Sequence, residues 1–114
     1  MSRPSSDLMF KAFADRTRLR ILHLLRQREM CVGDLVKILR VRQPKASRHL
    51  TYLKRSGFVV SRQEGLWRYY ALAPMHGTLH ASLLKCLDNC FTEVSEIKAD
   101  ERRASALVKS GPCC

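Results

Sequence analysis

Between residues 32 and 72 the chain carries two short helical stretches in immediate succession and then two strand-like runs, and this order is the tightest constraint on its fold. The first stretch, 32–41, places Leu35, Ile38 and Leu39 at helical spacing. The second opens at Gln43-Pro44, where a proline fits the first helical turn because its missing N–H has no partner there. Gly57, after Ser56, supplies a left-handed stop. The runs 58–62 and 67–72 are rich in β-branched and aromatic residues and join through Glu64-Gly65 as a hairpin.

The flanks are helical. Ser5, Ser6 and Asp7 are cap-type residues for a first helix over 6–14, and Asp15 caps a second that runs through Arg28 with Leu19, Ile21, Leu22 and Leu25 as its stripe. Arg16, Arg18, Arg20 and Arg26 decorate the rest of it and read either as a solvated face or as phosphate contacts. After Pro74 a long helical stretch sets Leu79, Leu83, Leu87, Cys90 and Val94 along one side, and Ser95 breaks it before a last segment, 99–109. Two short helices with a tight connection, the second basic and followed by a hairpin, form the pattern of a winged helix-turn-helix: mostly α, with a β-hairpin wing. The expectation is one domain over 1–114. Residues 8–73 give the helical core, reading helix and wing, 74–97 a dimerisation helix, and 98–114 an extension with a cysteine tail.

The chain has 114 residues and a formal charge of +11, and that charge is unevenly placed. Residues 1–73 hold 16 Lys/Arg and 5 Asp/Glu, whereas residues 74–114 hold five of each. A basic excess confined to one part of the chain is the footprint of a polyanion partner, here double-stranded DNA. No apolar run reaches the roughly 18–20 residues of a spanning helix, and the first residues lack the apolar core of a signal peptide, so a cytoplasmic protein without a membrane role is expected.

At about 100° per residue, Ala46, Leu50 and Leu53 fall on the core side of the fourth helix, and Lys45, Arg48, Thr51, Tyr52 and Arg55 on the opposite side. That side suits a major groove, where an Arg fork takes guanine's two acceptors while Lys and hydroxyl groups hold phosphates. Gln43 and Ser47 near the helix start are placed to reach base edges or phosphate. Arg62 and Arg68 flank the hairpin turn, placed for phosphates or the minor groove. His49 borders the core stripe and reads as a packed, hydrogen-bonded side chain, while Trp67, Tyr69 and Tyr70 read as sheet packing.

The runs Asp15-Arg16-Thr17-Arg18-Leu19-Arg20-Ile21-Leu22, Gln43-Pro44-Lys45-Ala46-Ser47-Arg48-His49-Leu50 through Leu53-Lys54-Arg55-Ser56-Gly57-Phe58-Val59, and Glu64-Gly65-Leu66-Trp67-Arg68-Tyr69-Tyr70 resemble the ArsR/SmtB metal-sensing repressors over about residues 8–95. The resemblance implies a homodimeric repressor, joined through its first and last helices, that leaves an inverted-repeat operator when a metal or metalloid binds. The apolar side of Leu79, Leu83, Leu87 and Val94 agrees with that interface. Arsenic-responsive members, the most similar, often carry Glu-Leu-Cys-Val-Cys-Asp-Leu-Cys at the start of the third helix. Here the stretch is Glu29-Met30-Cys31-Val32-Gly33-Asp34-Leu35-Val36, which keeps one thiol of three. A three-thiolate site at this place is thereby excluded, and Cys31 reads as a small packed residue or a lone thiol.

Four other cysteines remain. Cys86 and Cys90, four apart, share one face of a continuous helix, and Cys113-Cys114 end a tail long enough to fold back towards them or towards a partner chain. Soft thiolates select thiophilic ions over Mg or Ca. With the resemblance to arsenic-responsive members, the expected effector is As(III) or Sb(III), or a methylated As(III) needing only two thiolates, with no organic cofactor. The bland alternative for Cys90 is a buried core cysteine.

Other signals fit the same thiols: a redox or sulfide response through disulfides, or Cd, Pb or Zn. For zinc, His76 and His80 are four apart, but the acidic and His spacing of the family's zinc sensors is lacking. A constitutive architectural or RNA-binding basic protein would also be basic. Catalysis is not expected, because Cys31 or Cys113 with a His lacks an orienting partner and an oxyanion element.

Overall fold

The computed structural model describes residues 5–110, with 90–93 and 108–110 described through their backbone alone. Helix α1 is Ser6–Phe13, capped by the Ser5 hydroxyl accepting from the Leu8 N–H at 3.2 Å. Helix α2, Arg16–Gln27, starts at Asp15, whose carboxylate accepts from the Arg18 N–H at 3.0 Å. It buries Ile21, Leu22, Leu24 and Leu25. The helix ends one residue before the expected Arg28, which is extended.

Strand β1, Met30–Cys31, is too short to leave a period in the sequence. It exists because it finds an edge to pair with: Met30 lies opposite Tyr70 and Cys31 opposite Tyr69. Helix α3, Val32–Leu39, follows at once and stops two residues short of the expected Val41. There Arg40 takes a left-handed conformation, φ 57°, which turns the chain. Helix α4, Gln43–Arg55, buries Ala46, Leu50 and Leu53 as its periodicity requires and ends before Gly57, φ 84°.

Strands β2, Val59–Glu64, and β3, Trp67–Leu72, pair antiparallel with Glu64 opposite Trp67, so the hairpin turn is Gly65-Leu66. Gly65 supplies the positive φ of 61° that the tight turn needs. The sheet order is β1-β3-β2. Helix α5, Thr78–Glu93, and helix α6, Glu96–Ser110, complete the described fold, with the break at Ser95 where the sequence places it.

One core joins these elements, built from Met9, Ile21, Leu24, Leu35, Ile38, Leu50, Leu53 and Phe58 with Leu84 and Leu87 of α5. Leu87 and Val94 are buried within the chain itself, while Leu79 and Leu83 stay half-buried and Phe10 and Met75 stay exposed. Helix α6 packs along α2 and reaches α3. The sequence leaves 98–114 as an appendage; the structure makes residues 96–107 part of the body.

Candidate nucleic-acid interface

The α2 arginines are not a single solvated face: Arg16 and Arg26 are exposed but ion-paired, Arg18 is half-buried and Arg20 is buried. Arg16 holds Glu96 through Nε, with both carboxylate oxygens within 2.9 Å. Arg20 is buried against Asp100, and Arg26 pairs with Asp88. Arg18 turns back to the carbonyls of Ala12 and Lys11 at 3.0 and 2.7 Å. Acids of α5 and α6 thus neutralise three of the four, while among the described residues unpaired positive charge remains on the turn, α4 and the wing, and elsewhere at exposed Lys11, Lys37, Lys85, Lys98 and Arg102.

On α4, Gln43, Lys45, Arg48, Thr51 and Arg55 are exposed and Ser47 is half-buried. No side chain caps the helix start at Arg42, which leaves the N–H groups of the first turn without a side-chain partner. Lys45 and Arg48 stand near that positive dipole end, a placement that disfavours the free helix but favours a phosphate beside it. Among the described residues, Arg42, Lys45, Arg48, Lys54, Arg55 and Arg68 form no salt bridge. Arg42 and Lys54 escaped the sequence reading; their signal was basic side chains bordering the assigned face.

Tyr52 departs from that face. It is half-buried against the core, with the Arg18 guanidinium 4.2 Å above its ring, because the helix turns it towards α1 and α2. His49 behaves as a packed side chain: Arg18 Nη1 lies 3.4 Å from its Nδ1, and burial pushes its pKa below the ordinary value.

The wing divides its two arginines. Arg62 donates to both oxygens of Glu29 at 2.7 and 2.9 Å, also pairs with Glu64, and lies over the Tyr69 ring. Hydrogen bonds to these two acids raise its pKa, and Arg62 in turn pulls the Glu29 carboxyl down, so the Arg62 charge is already answered. Arg68 bonds only neutral oxygens, Ser61 Oγ at 3.2 Å and Gln63 Oε1 at 2.9 Å. Trp67 does not pack as expected; it is 45% exposed beside Leu66, 94% exposed, at the wing tip.

Of the five cysteines, the side chains of Cys31 and Cys86 are described. Cys86 is free and exposed on α5. Cys113, Cys114 and the Cys90 side chain lie outside the described residues. Among the described residues no group of three His, Cys, Asp or Glu side chains is arranged to hold a metal ion. Cys31 is buried at the α3 N-cap, where its Sγ accepts from the Asp34 N–H at 3.4 Å. It is packed, as one of the two expectations had it, but it is not a lone thiol, being half of a disulfide. His76 and His80 both donate through Nε2 to the Gly57 carbonyl, at 3.1 and 3.2 Å.

A basic helix presented after a three-residue turn, with a hairpin beside it, defines a winged-helix DNA-binding protein. Residues 15–61 match the model of the bacterial regulatory protein arsR family. The chain is 48% identical over 103 residues to the arsenical resistance operon repressor of Escherichia coli, covering 90% of this chain and 80% of that one. Of solved structures, HlyU from Vibrio cholerae superposes with a TM-score of 0.65 at 31% identity, over 76% of this chain and 91% of that chain. A homodimeric winged helix-turn-helix domain from Mycobacterium bovis gives 0.63 at 33%, over 76% of this chain and 78% of that one. The chain therefore belongs to the arsR family of transcriptional regulators. No described helix is long and apolar enough to cross a membrane.

Proposed function

We propose that the protein is a homodimeric repressor of an arsenic-resistance operon, acting in the cytoplasm, that binds an inverted-repeat DNA operator and is released by As(III), Sb(III) or a methylated As(III). The observation that carries this reading is the unpaired basic outer face of α4, in a chain nearly half identical to an arsenical resistance operon repressor over most of its length. Gln43, Lys45, Ser47, Arg48, Thr51 and Arg55 form the reading set, with Arg68 on phosphate from the wing; Arg62 and Tyr52 serve mainly to hold the wing and α4 in place. A dimer suits Phe10, Met75, Leu79 and Leu83, the apolar side chains that α1 and the α5 region leave exposed or half-buried.

In the reduced protein, with the disulfide at Cys31 opened, the effector would be held by thiolates of Cys86, Cys90 and at least one of Cys113 and Cys114. Cys86 fits that part, being a free thiol open to solvent, and a soft trivalent metalloid supplies bonds strong enough to draw separated thiols together. Release is then linkage: the ligated dimer favours a geometry in which its two reading helices no longer match half-sites one DNA turn apart.

The disulfide at Cys31 favours a second reading, a redox or sulfide response. A gel shift on palindromic DNA with arsenite, methylarsenite, zinc, cadmium and peroxide in parallel separates the two. Release by arsenicals supports the first reading, release by peroxide alone the second, and release by cadmium or zinc alone would replace the arsenical.

A further inference from the structure

Helix α3 ends at Leu39, and the three residues after it aim the reading helix. The last carbonyls of a helix lack partners within it, and here they face the protein. The Arg40 N–H closes onto the Val36 carbonyl. The Leu39 carbonyl accepts from Arg20 Nη2 at 3.0 Å, and the Ile38 carbonyl accepts from Arg103 Nε. Both guanidinium groups are gathered by one carboxylate: Asp100, fully buried, receives Arg20 Nε and Nη2 at 2.8 Å each and Arg103 Nη2 at 3.0 Å. Two of these three side chains come from α6. The end of the first helix of the helix-turn-helix is thus finished by side chains from the C-terminal helix.

A buried carboxylate between two arginines is an expensive way to stabilise a small fold, since apolar side chains of similar volume often do as well. Its distinctive property is direction: each fork fixes where a particular carbonyl lies. We propose that Asp100, Arg103 and Arg20 are positioning residues for DNA reading, setting the angle at which α4 leaves the turn, so that movement of α6 is felt at the reading helix. The proposal rests on α4 being that helix. It also gives the C-terminal region, which carries Cys113 and Cys114 four residues or fewer past the end of α6, a route to the DNA-reading surface.

Phosphate contacts through long Lys and Arg side chains tolerate a small tilt of α4, whereas base-edge contacts do not. A misaimed helix should therefore lose selectivity before it loses affinity for DNA in general. The test uses a duplex selected from a random library on the wild-type full chain, and a shuffled duplex of the same composition. Arg103 is one-quarter exposed, so Arg103→Gln leaves the Arg20–Asp100 pair in place. It is expected to weaken the selected duplex by about fivefold or more and the shuffled duplex by less than about twofold.

Amide hydrogen exchange gives a readout independent of DNA. Residues 40–46 should exchange at least about fivefold faster in Arg103→Gln, with the amides of α1 and the hairpin unchanged. If Arg103→Gln does not fold cooperatively, Arg103→Lys carries both measurements with the same expected pattern, because a single ammonium nitrogen replaces the two fixed nitrogens, Nε and Nη2, that reach Ile38 and Asp100 separately. Equal losses on the two duplexes, no loss on either, or unchanged exchange at 40–46 would overturn the proposal. Arg48→Ala is the control: if it leaves the selected duplex unaffected, α4 is not the reading helix and the premise itself fails.

Discussion

Arg20 and Asp100 meet inside the protein, the α2 guanidinium gripping the α6 carboxylate through two N–H···O bonds of 2.8 Å. Four residues earlier on each helix, Arg16 and Glu96 repeat the arrangement at the surface. The two helices therefore run in the same direction with a constant offset, one pair buried and the other solvated. Hydrogen bonding from Asp100 raises the Arg20 pKa despite the burial that opposes it.

The two pairs should differ sharply in worth. Asp100→Ala strands two arginines against buried carbonyls and is expected to cost about 3–5 kcal/mol of folding stability. Glu96→Ala opens an exposed pair and should cost less than about 1 kcal/mol. Urea unfolding of the two variants measures both; equal costs would mean that the buried pair relaxes or hydrates.

Charge on the DNA-facing surface predicts a ranking that sequence position alone does not. Arg48→Ala should weaken operator binding by about 1–3 kcal/mol if it reads a base. Arg68→Ala should lower affinity more evenly across sequences and reduce the salt slope by about one. Arg62→Ala should do little to the slope, because Glu29 and Glu64 already answer that charge. Titrations of fluorescent duplexes at several salt concentrations give affinity and slope together, and a large slope change for Arg62→Ala would contradict the assignment.

Burial lowers the pKa of His80, with His76 beside it adding to the effect, and burial likewise lowers that of His49. A histidine whose folded pKa is depressed takes up protons more readily when unfolded, so acid favours unfolding. Its penalty is absent above the unfolded value of about 6.5 and grows as pH falls below it towards the folded value. Stability should thus decline below about pH 6.5. His80→Phe, which keeps a ring against Phe58 and leaves His76 donating to Gly57, should flatten that decline. Melting temperature against pH checks it, and an unchanged slope would exclude His80 as a source.

Much of this was legible in the residues. Pro44, Gly57 and Gly65 mark a helix start, a helix stop and a turn through backbone chemistry that acts locally, and the Ala46, Leu50, Leu53 period needs only one helix to express it. What stayed hidden depends on distant partners. Strand β1 is defined by Tyr69 and Tyr70 rather than by its own two residues. Arg62 and Arg68 are alike in sequence, and the approach of Glu29 and Glu64 to Arg62 separates them. The acids of α6 read as a neutral half of the chain, although Glu96 and Asp100 match Arg16 and Arg20 in their four-residue spacing, a signal that pairing these helices would have used.

Deleting residues 112–114 should abolish the response to arsenite but preserve the response to methylarsenite, if the first takes three thiolates and the second two. Operator release measured with each compound distinguishes the counts, and loss of both responses would place the tail in every complex.

The most direct test of the central claim is operator affinity, followed by fluorescence anisotropy as arsenite is added to the reduced dimer and to a Cys86→Ser/Cys90→Ser double variant. The account predicts a loss of affinity for the wild type of well over about tenfold, corresponding to a coupling free energy above about 1.4 kcal/mol, and none for the double variant. A wild-type change of only about threefold or less, too small for a switch, or a full response from the double variant, would contradict it.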